Sequence, residues 1–188
     1  MKTPQKPKAI LVDHDDSFTQ NLKWWLMQNF SIEVLPYTLL ENFVPATEVK
    51  LMVLSAGPKS PLDYSKTLNW LKKNPTMPAL GICLGFQLMT MAENGRVEKY
   101  APVQHGKTSQ LIFTNHTTRG FHVARYHSLE CFCPAVFNII ACSGGDQKIM
   151  WAEHQSKPWL GWQFHPESFL TNDQGFLMTY LLKWLEAQ

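Results

Sequence analysis

From residue 8 to residue 94 the chain alternates between short β-rich runs and stretches with helical spacing. That alternation restricts the fold more than any other feature. Residues 8–13 (Lys-Ala-Ile-Leu-Val-Asp) make an apolar run that ends in an acid. In 17–29, Phe18, Leu22, Trp25, Leu26 and Asn29 recur at helical spacing, and Ser17 with Gln20 three residues on predicts a capping box. Runs at 32–36, 51–55 and 78–82 predict further strands, 64–73 a helix stopped before Pro75, and 84–94 a helix with Gly95 as its stop. Strand–helix–strand units of this kind build a parallel sheet whose crossover helices cover both faces.

The second half is richer in strand signals, at 110–113, 121–126, 137–142, 148–152 and 159–164, before a closing helix at 173–186. The expected fold class is therefore α/β: a mixed, mostly parallel central sheet with helices on both faces, extended on one side. No repeat, low-complexity tract or linker divides the chain. Residues 1–8 are expected to be a flexible basic N-terminus and 9–188 a single domain, and 188 residues suffice for a full core without disulfides or metal.

Net charge is +2, but three lysines lie in the first eight residues, and without them 14 basic residues face 15 acidic ones. A near-neutral body has no stripe to track phosphates, so nucleic acid is not an expected partner. The basic start is followed by an apolar run, 9–12, too short for a signal peptide, and the longest apolar-rich run, 135–142, is too short for a bilayer. We therefore expect a cytoplasmic chain with no membrane association. Its four cysteines, 83, 131, 133 and 142, are expected to be thiols. Cys131-Phe132-Cys133 has no second pair to complete a zinc site, and no cysteine follows Cys142 to turn the His-x-Glu at 165–167 into a zinc deaminase signature. No metal and no cofactor are expected.

In open α/β sheets, sites form beyond the carboxyl ends of the strands, and Asp13, Ser55, Cys83 and His165 all fall at such ends. Cys83 lies between Gly81 and Gly85 at a strand-to-helix junction, the arrangement of the Gly-x-Ser-x-Gly elbow with sulfur in place of oxygen. A helix starting at Leu84 would turn its positive end toward the sulfur, favouring thiolate, and leave the Leu84 N–H for a developing oxyanion. Taken alone, a small buried cysteine before a helix cap satisfies the same pattern.

His165 ends a strand-like run, Pro166 biases it toward extended backbone, and an extended chain would put Glu167 on the same side. The carboxylate could then orient the imidazole and leave one ring nitrogen for the sulfur. Singly, His165 also suits a satisfied strand-end histidine and Glu167 a solvated acid; the pair, with Cys83 and the nearby Gln87, favours chemistry. His14, His116 and His154 are expected in loops or at strand ends.

Gly81-Ile82-Cys83-Leu84-Gly85-Phe86-Gln87 resembles the nucleophile motif of the class I (triad) glutamine amidotransferases, and His165-Pro166-Glu167-Ser168 resembles their second catalytic motif. Asp15-Asp16-Ser17-Phe18-Thr19, Leu54-Ser55-Ala56-Gly57-Pro58, His105-Gly106-Lys107-Thr108-Ser109 and Arg125-Tyr126-His127-Ser128-Leu129 extend the resemblance over nearly the whole chain. Together they are similar to the small glutaminase subunits of anthranilate synthase and aminodeoxychorismate synthase. The resemblance implies a flavodoxin-like fold, L-glutamine as substrate, and as partner a large chorismate-binding synthase subunit. It further implies Cys83, His165 and Glu167 as catalytic residues, Gly57 and Leu84 as oxyanion donors, and Gln87, Ser128 and Leu129 as holders of the glutamine backbone end. Helix 17–29 and the His105–Lys107 segment would lie toward the partner. A free-standing cysteine hydrolase of γ-glutamyl substrates and a catalytically silent regulatory module remain as alternatives. Three departures stand out: Lys59 where the family commonly has a second glycine, Phe86 where it commonly has histidine, and His14-Asp15 where it commonly has Asn-Tyr.

Overall fold

A computed structural model of the chain describes residues 5–101, 106–114 and 120–188. In the first half, β1 (Lys8–Asp13), α1 (Thr19–Leu26), β2 (Ser31–Pro36), β3 (Val49–Leu54), α2 (Ser65–Lys73), β4 (Ala79–Ile82) and α3 (Leu84–Ala92) follow the predicted alternation. The second half holds β5 (Arg96–Lys99), β6 (Lys107–Phe113), β7 (His122–Arg125), β8 (Leu129–Phe132), β9 (Phe137–Ser143), β10 (Ile149–His154), β11 (Trp159–Trp162) and α4 (Gln174–Glu186).

Nine strands form one sheet in the order β2-β1-β3-β4-β11-β10-β9-β6-β7. The pairings β2-β1, β1-β3, β3-β4 and β4-β11 are parallel, and those from β11 outward to β7 are antiparallel. The sheet is thus mixed, with the parallel half built by the first half of the chain and closed by β11. Strands β5 and β8 pair apart from it as a short ribbon.

Alternation along β1 sets the two faces. Ala9 and Leu11 pack with Leu22, Trp25 and Leu26 of α1 and with Leu177 and Leu181 of α4. Ile10 and Val12 pack with Trp70 and Leu71 of α2 and with Leu84, Phe86, Leu88 and Met89 of α3. At eight residues α1 is well below the roughly 12–15 at which an isolated helix becomes even marginal. Its stability rests on burial, about 1.5–3 kcal/mol each for side chains such as Leu22 and Leu26.

Several local expectations need correction. The capping box at Ser17 is absent: helix α1 begins two residues later, with no side-chain cap bond at Phe18. Carboxylates do the work instead, Asp16 Oδ2 accepting the Phe18 N–H at 2.9 Å and Asp13 Oδ1 accepting the Asp15 N–H at 3.0 Å and the Thr19 hydroxyl at 2.8 Å. At the end of α3 the left-handed residue is Asn94 (φ 62°), not Gly95. The Gly95 N–H bonds to Thr90 O and the Asn94 N–H to Met91 O, the paired bonds of a Schellman motif. Gly95 is needed for space, since a Cβ there would lie 2.6 Å from Thr90 Cγ2. The ribbon β5-β8 and the 3-10 helices at Tyr37–Asn42 and Pro61–Asp63 have no counterpart among the predicted elements. Of the basic N-terminus expected over 1–8, residues 1–4 lie outside the described residues. Pro7 O accepts the Ser31 N–H at 2.9 Å and Lys8 opens β1, so the sheet starts ahead of the expected boundary.

Candidate active site

Because β1, β3, β4 and β11 are parallel, the residues at their carboxyl ends emerge on one edge of the sheet. Asp13, Ser55, Cys83 and His165 all lie there, but they divide into two groups. Asp13 caps the start of α1 as described. Ser55 Oγ is held by His14, accepting its N–H at 3.0 Å and lying 3.1 Å from Nδ1. Cys83 and His165 form the second group.

Cys83 sits between β4 and α3 with φ 50° and ψ −100°, a conformation that costs a non-glycine residue about 1–3 kcal/mol. It is over-determined by its neighbours: the Cys83 N–H donates to Trp162 O at 2.7 Å, and Cys83 O accepts the Gln87 N–H at 3.1 Å. The flanking glycines are required by close approach. A Cβ on Gly85 would lie 2.3 Å from Leu54 O, and one on Gly81 would lie 2.6 Å from Phe86 N. The turn therefore presses the first turn of α3 onto the strand ends, with the sulfur at the N-terminus of a nine-residue helix.

His165 is tied to the adjoining strand, its N–H donating to Ala124 O at 3.1 Å and its carbonyl accepting the Thr171 hydroxyl at 2.6 Å. Its Nδ1 lies 2.7 Å from Glu167 Oε1, with the two side chains only 4% and 2% exposed. The route differs from the expected one. Residues 165–168 form a turn, with the Ser168 N–H toward His165 O at 3.4 Å, so Pro166 brings the carboxylate back under the ring instead of keeping the chain extended. Burial opposes a charge on His165, but the Glu167 carboxylate and the Cys83 sulfur outweigh it and hold the imidazole well above its usual 6.5. With Nδ1 engaged by the carboxylate, Nε2 is left for the sulfur.

The loop before α1 closes over this corner. Tyr126 meets the His165 ring edge-on at 5.1 Å between centroids, and Phe18 stacks on Tyr126 at 5.5 Å. Asp16 is half-buried beside the pair; burial pushes its carboxyl up, against a counter-pull from the Phe18 N–H and His165.

The residues expected around the substrate are placed as follows. Gly57 lies directly against Leu84, where a Cβ would come within 2.5 Å of Leu84 Cδ2, and Leu84 is the first residue of α3. Gln87 is buried and its Nε2 donates to Gln163 Oε1 at 3.4 Å. Ser128 is exposed, its carbonyl accepting the Tyr100 N–H at 2.8 Å, and Leu129 opens β8 with its carbonyl 2.8 Å from His127 Nδ1. Those two residues are backed by a polar network. Arg125 donates through Nε to His127 Nε2 at 3.0 Å and through Nη1 to Asp146 Oδ2 at 2.9 Å, while Asp146 also accepts from Ser143 and Tyr100. Since Nε2 of His127 is an acceptor, its Nδ1 is the donor to Leu129. Burial and the Arg125 charge push His127 down to about 4.

The departures resolve locally. Lys59 is exposed and its φ is not positive, so the loop after Gly57 does not need a second glycine. Phe86 is fully buried and fills the space over Gly161, where a Cβ would meet its ring at 2.0 Å. His14 is buried at the end of β1, its Nε2 3.0 Å from Thr67 Oγ1, and burial pushes it down to about 4. His154 sits away from the site, against Glu93 and Phe137. His105 and His116 lie outside the described residues.

One residue beside the sulfur was not singled out from sequence. Gln163 Nε2 lies 3.5 Å from Cys83 Sγ, and the position is legible only once β11 is known to run beside β4. All four cysteines are free. Among the described residues, no cluster of three His, Cys, Asp or Glu side chains could hold a metal ion, and no helix is long and apolar enough to cross a membrane.

The family model for class I glutamine amidotransferases matches residues 10–183. Anthranilate synthase component 2 of Methanocaldococcus jannaschii is 33% identical over 87% of this chain and 86% of its own length. The pyocyanine-specific anthranilate synthase component 2 of Pseudomonas aeruginosa is 33% identical over 96% and 95%. Aminodeoxychorismate synthase component 2 of Escherichia coli is 35% identical over 88% and 94%. Among solved structures, a glutamine amidotransferase from Thermotoga maritima superposes with a TM-score of 0.65 at 19% identity, covering 96% of this chain and 81% of its own, a likeness of fold. With the family model matching most of the sequence and relatives of 33–35% identity covering most of both chains, the chain belongs to the class I glutamine amidotransferases.

Proposed function

We propose that this chain is the glutaminase subunit of a chorismate-aminating synthase, hydrolysing L-glutamine at Cys83 and passing ammonia to a larger partner. The observation that carries the reading is the His165 Nδ1–Glu167 Oε1 contact of 2.7 Å, buried beside a cysteine elbow. A carboxylate-held imidazole with a raised pKa next to a thiol favours the thiolate–imidazolium pair over two neutral groups. The names of the relatives supply the partner class, and identities of 33% to an anthranilate synthase component 2 and 35% to an aminodeoxychorismate synthase component 2 leave both kinds of synthase within the proposal.

In the proposed reaction the Cys83 thiolate adds to the side-chain carboxamide carbon of glutamine. The oxyanion forms beside the Gly57 and Leu84 N–H groups, two backbone positions that lie close together where Gly57 packs against the first residue of α3. His165 delivers its proton to the departing nitrogen, the C–N bond breaks, and ammonia leaves a γ-glutamyl thioester. His165 then takes a proton from water, whose oxygen attacks the thioester to release glutamate and regenerate the thiolate. Glu167 keeps the ring oriented through both steps. Gln87, Ser128 and Leu129 hold the backbone end of glutamine, the last two on the segment braced by His127. The exposed aromatics of the α1 corner, Phe18 and Trp24, lie on the side proposed to meet the partner, and the chain is proposed to work in the cytoplasm.

Glutamate release from glutamine, measured with and without a chorismate-binding synthase partner, tests this. Release that rises when the partner is added and disappears in Cys83→Ala supports it. No release in either condition, with the thiol titratable and intact, overturns it.

A further inference from the structure

Behind the nucleophile lies a buried amide that the mechanism above does not use. Gln163 follows β11 directly and is 0% exposed. Its backbone N–H is bound to Met150 O at 2.9 Å, and the preceding residue, Trp162, accepts the Cys83 N–H. The same strand end therefore fixes the Cys83 backbone and delivers a polar side chain to its sulfur.

We propose that Gln163 is a further catalytic residue of this site, its Nε2 amide donating a hydrogen bond to Cys83 Sγ and stabilising the thiolate. The inference rests on the reading of Cys83 as the nucleophile. The Nε2–Sγ separation of 3.5 Å is within hydrogen-bond range for sulfur. The orientation of the amide is set at its other end. Gln163 Oε1 lies 3.3 Å from Cys131 Sγ and 3.4 Å from Gln87 Nε2. Both are donors there: burial pushes the Cys131 thiol up well above 9, so it keeps its proton, and the Gln87 amide nitrogen has only donors to offer. A flipped amide would set Nε2 against two donors and Oε1 against the thiolate, leaving buried polar groups mismatched. Cys131 on β8 and Gln87 on α3 are thus positioning residues that act on the sulfur through Gln163.

The charges facing Cys83 come from few directions. His165 approaches from the loop after β11 with Glu167 behind it and Asp16 beside that pair, and α3 presents its N-terminus. The imidazolium and the helix end favour thiolate from the outer side. Gln163 supplies a donor from the core side, where burial otherwise penalises charge. That division gives a fully buried glutamine between two cysteines a chemical task.

The test is the pH dependence of Cys83 alkylation by iodoacetamide, read by mass spectrometry on the full-length chain, with Cys83→Ala as the control that assigns the label. A hydrogen bond to a charged acceptor lost in Gln163→Met should raise the thiolate midpoint by about one to two pH units. Gln163→Glu, which replaces the donor by a carboxyl group of the same shape, should raise it further. An unchanged midpoint in a folded Gln163→Met protein overturns the proposal. If that variant loses its native near-ultraviolet circular dichroism, the double variant Cys131→Ala/Gln87→Leu takes its place: it leaves Gln163 but removes both donors that hold its Oε1, so the amide can turn, and a smaller upward shift is expected. An unchanged midpoint there overturns the proposal as well. Alkylation needs neither glutamine nor a partner, so a shift in a protein that releases no glutamate would sink the glutaminase reading alone.

Discussion

His165 and His127 are both buried near the end of β7, close enough for the charge of one to act on the other, yet they are pushed in opposite directions. His165 looks onto a carboxylate and a thiol and is held well above 6.5; His127 looks onto a guanidinium and is held at about 4. Burial disfavours the charged form of both, so the partner decides the outcome. The carboxylate corner becomes a site able to hold a proton for chemistry, and the guanidinium corner becomes a neutral brace for the Ser128–Leu129 segment. A crevice with one charged and one neutral histidine has a division of labour that composition alone would not reveal.

The largest effects should come from the carboxylate corner. Cys83→Ala and His165→Ala are each expected to lower glutaminase turnover about 10⁴-fold or more, with the double variant no worse than the singles because the two act as a unit. Multiplying losses in steady-state kinetics would break that coupling. Glu167→Gln keeps the shape and removes the charge. Its loss should be smaller, about 10²–10⁴-fold, with the His165 titration, followed by NMR, falling back toward 6.5.

The other corner should answer in stability. Burial pushes the Asp146 carboxyl up, but hydrogen bonds from Ser143, Tyr100 and Arg125 together hold it well below the usual range, and Arg125→Met removes the charged one of the three. Breaking a buried pair costs about 3–5 kcal/mol, and the lower end is expected because Asp146 is 26% exposed; urea unfolding at neutral pH measures it. A loss below about 1 kcal/mol would mean the network is surface decoration.

Legibility followed the same divide. The parallel half could be read from sequence because each strand and helix there carries its own period, and β1 to α3 appear where the alternation places them. Cys83 was legible because glycines mark its turn, and His165 and Glu167 because they stand two apart at a strand end, although the turn at Pro166 was expected as extended chain. The ribbon β5-β8 was not, since four-residue strands such as Arg96–Lys99 have no apolar face to announce them. Gln163 and the Arg125–Asp146 bond were missed for another reason: they join residues 80 and 21 apart in the chain, and only tertiary packing brings them together. Ser17 failed as a cap because two nearby aspartates bind the same turn more strongly.

Smaller effects separate the histidines by pH. His14 and His127 have depressed folded pKa values of about 4, so their stability contribution is full above 6.5 and is lost as pH falls toward 4. The contribution of His165 has the opposite sign: it is full below 6.5 and lost as pH rises through its raised folded value. The urea midpoint should therefore fall on acidification between 6.5 and 4, with an uptake of up to two protons on unfolding. His127→Asn, whose amide can still donate to Leu129 O, should remove about half of that acid slope. A slope unchanged by the substitution would place the buried neutral histidine elsewhere.

The central claim, that Cys83 attacks glutamine with His165 and Glu167 behind it, is tested most directly by acid-quenching the chain during turnover and mapping the adduct by mass spectrometry. A γ-glutamyl group on the peptide that carries Cys83, absent from Cys83→Ala, is the expected result. Glutamate release with no adduct on that peptide, or an adduct on Cys131, Cys133 or Cys142, would contradict it.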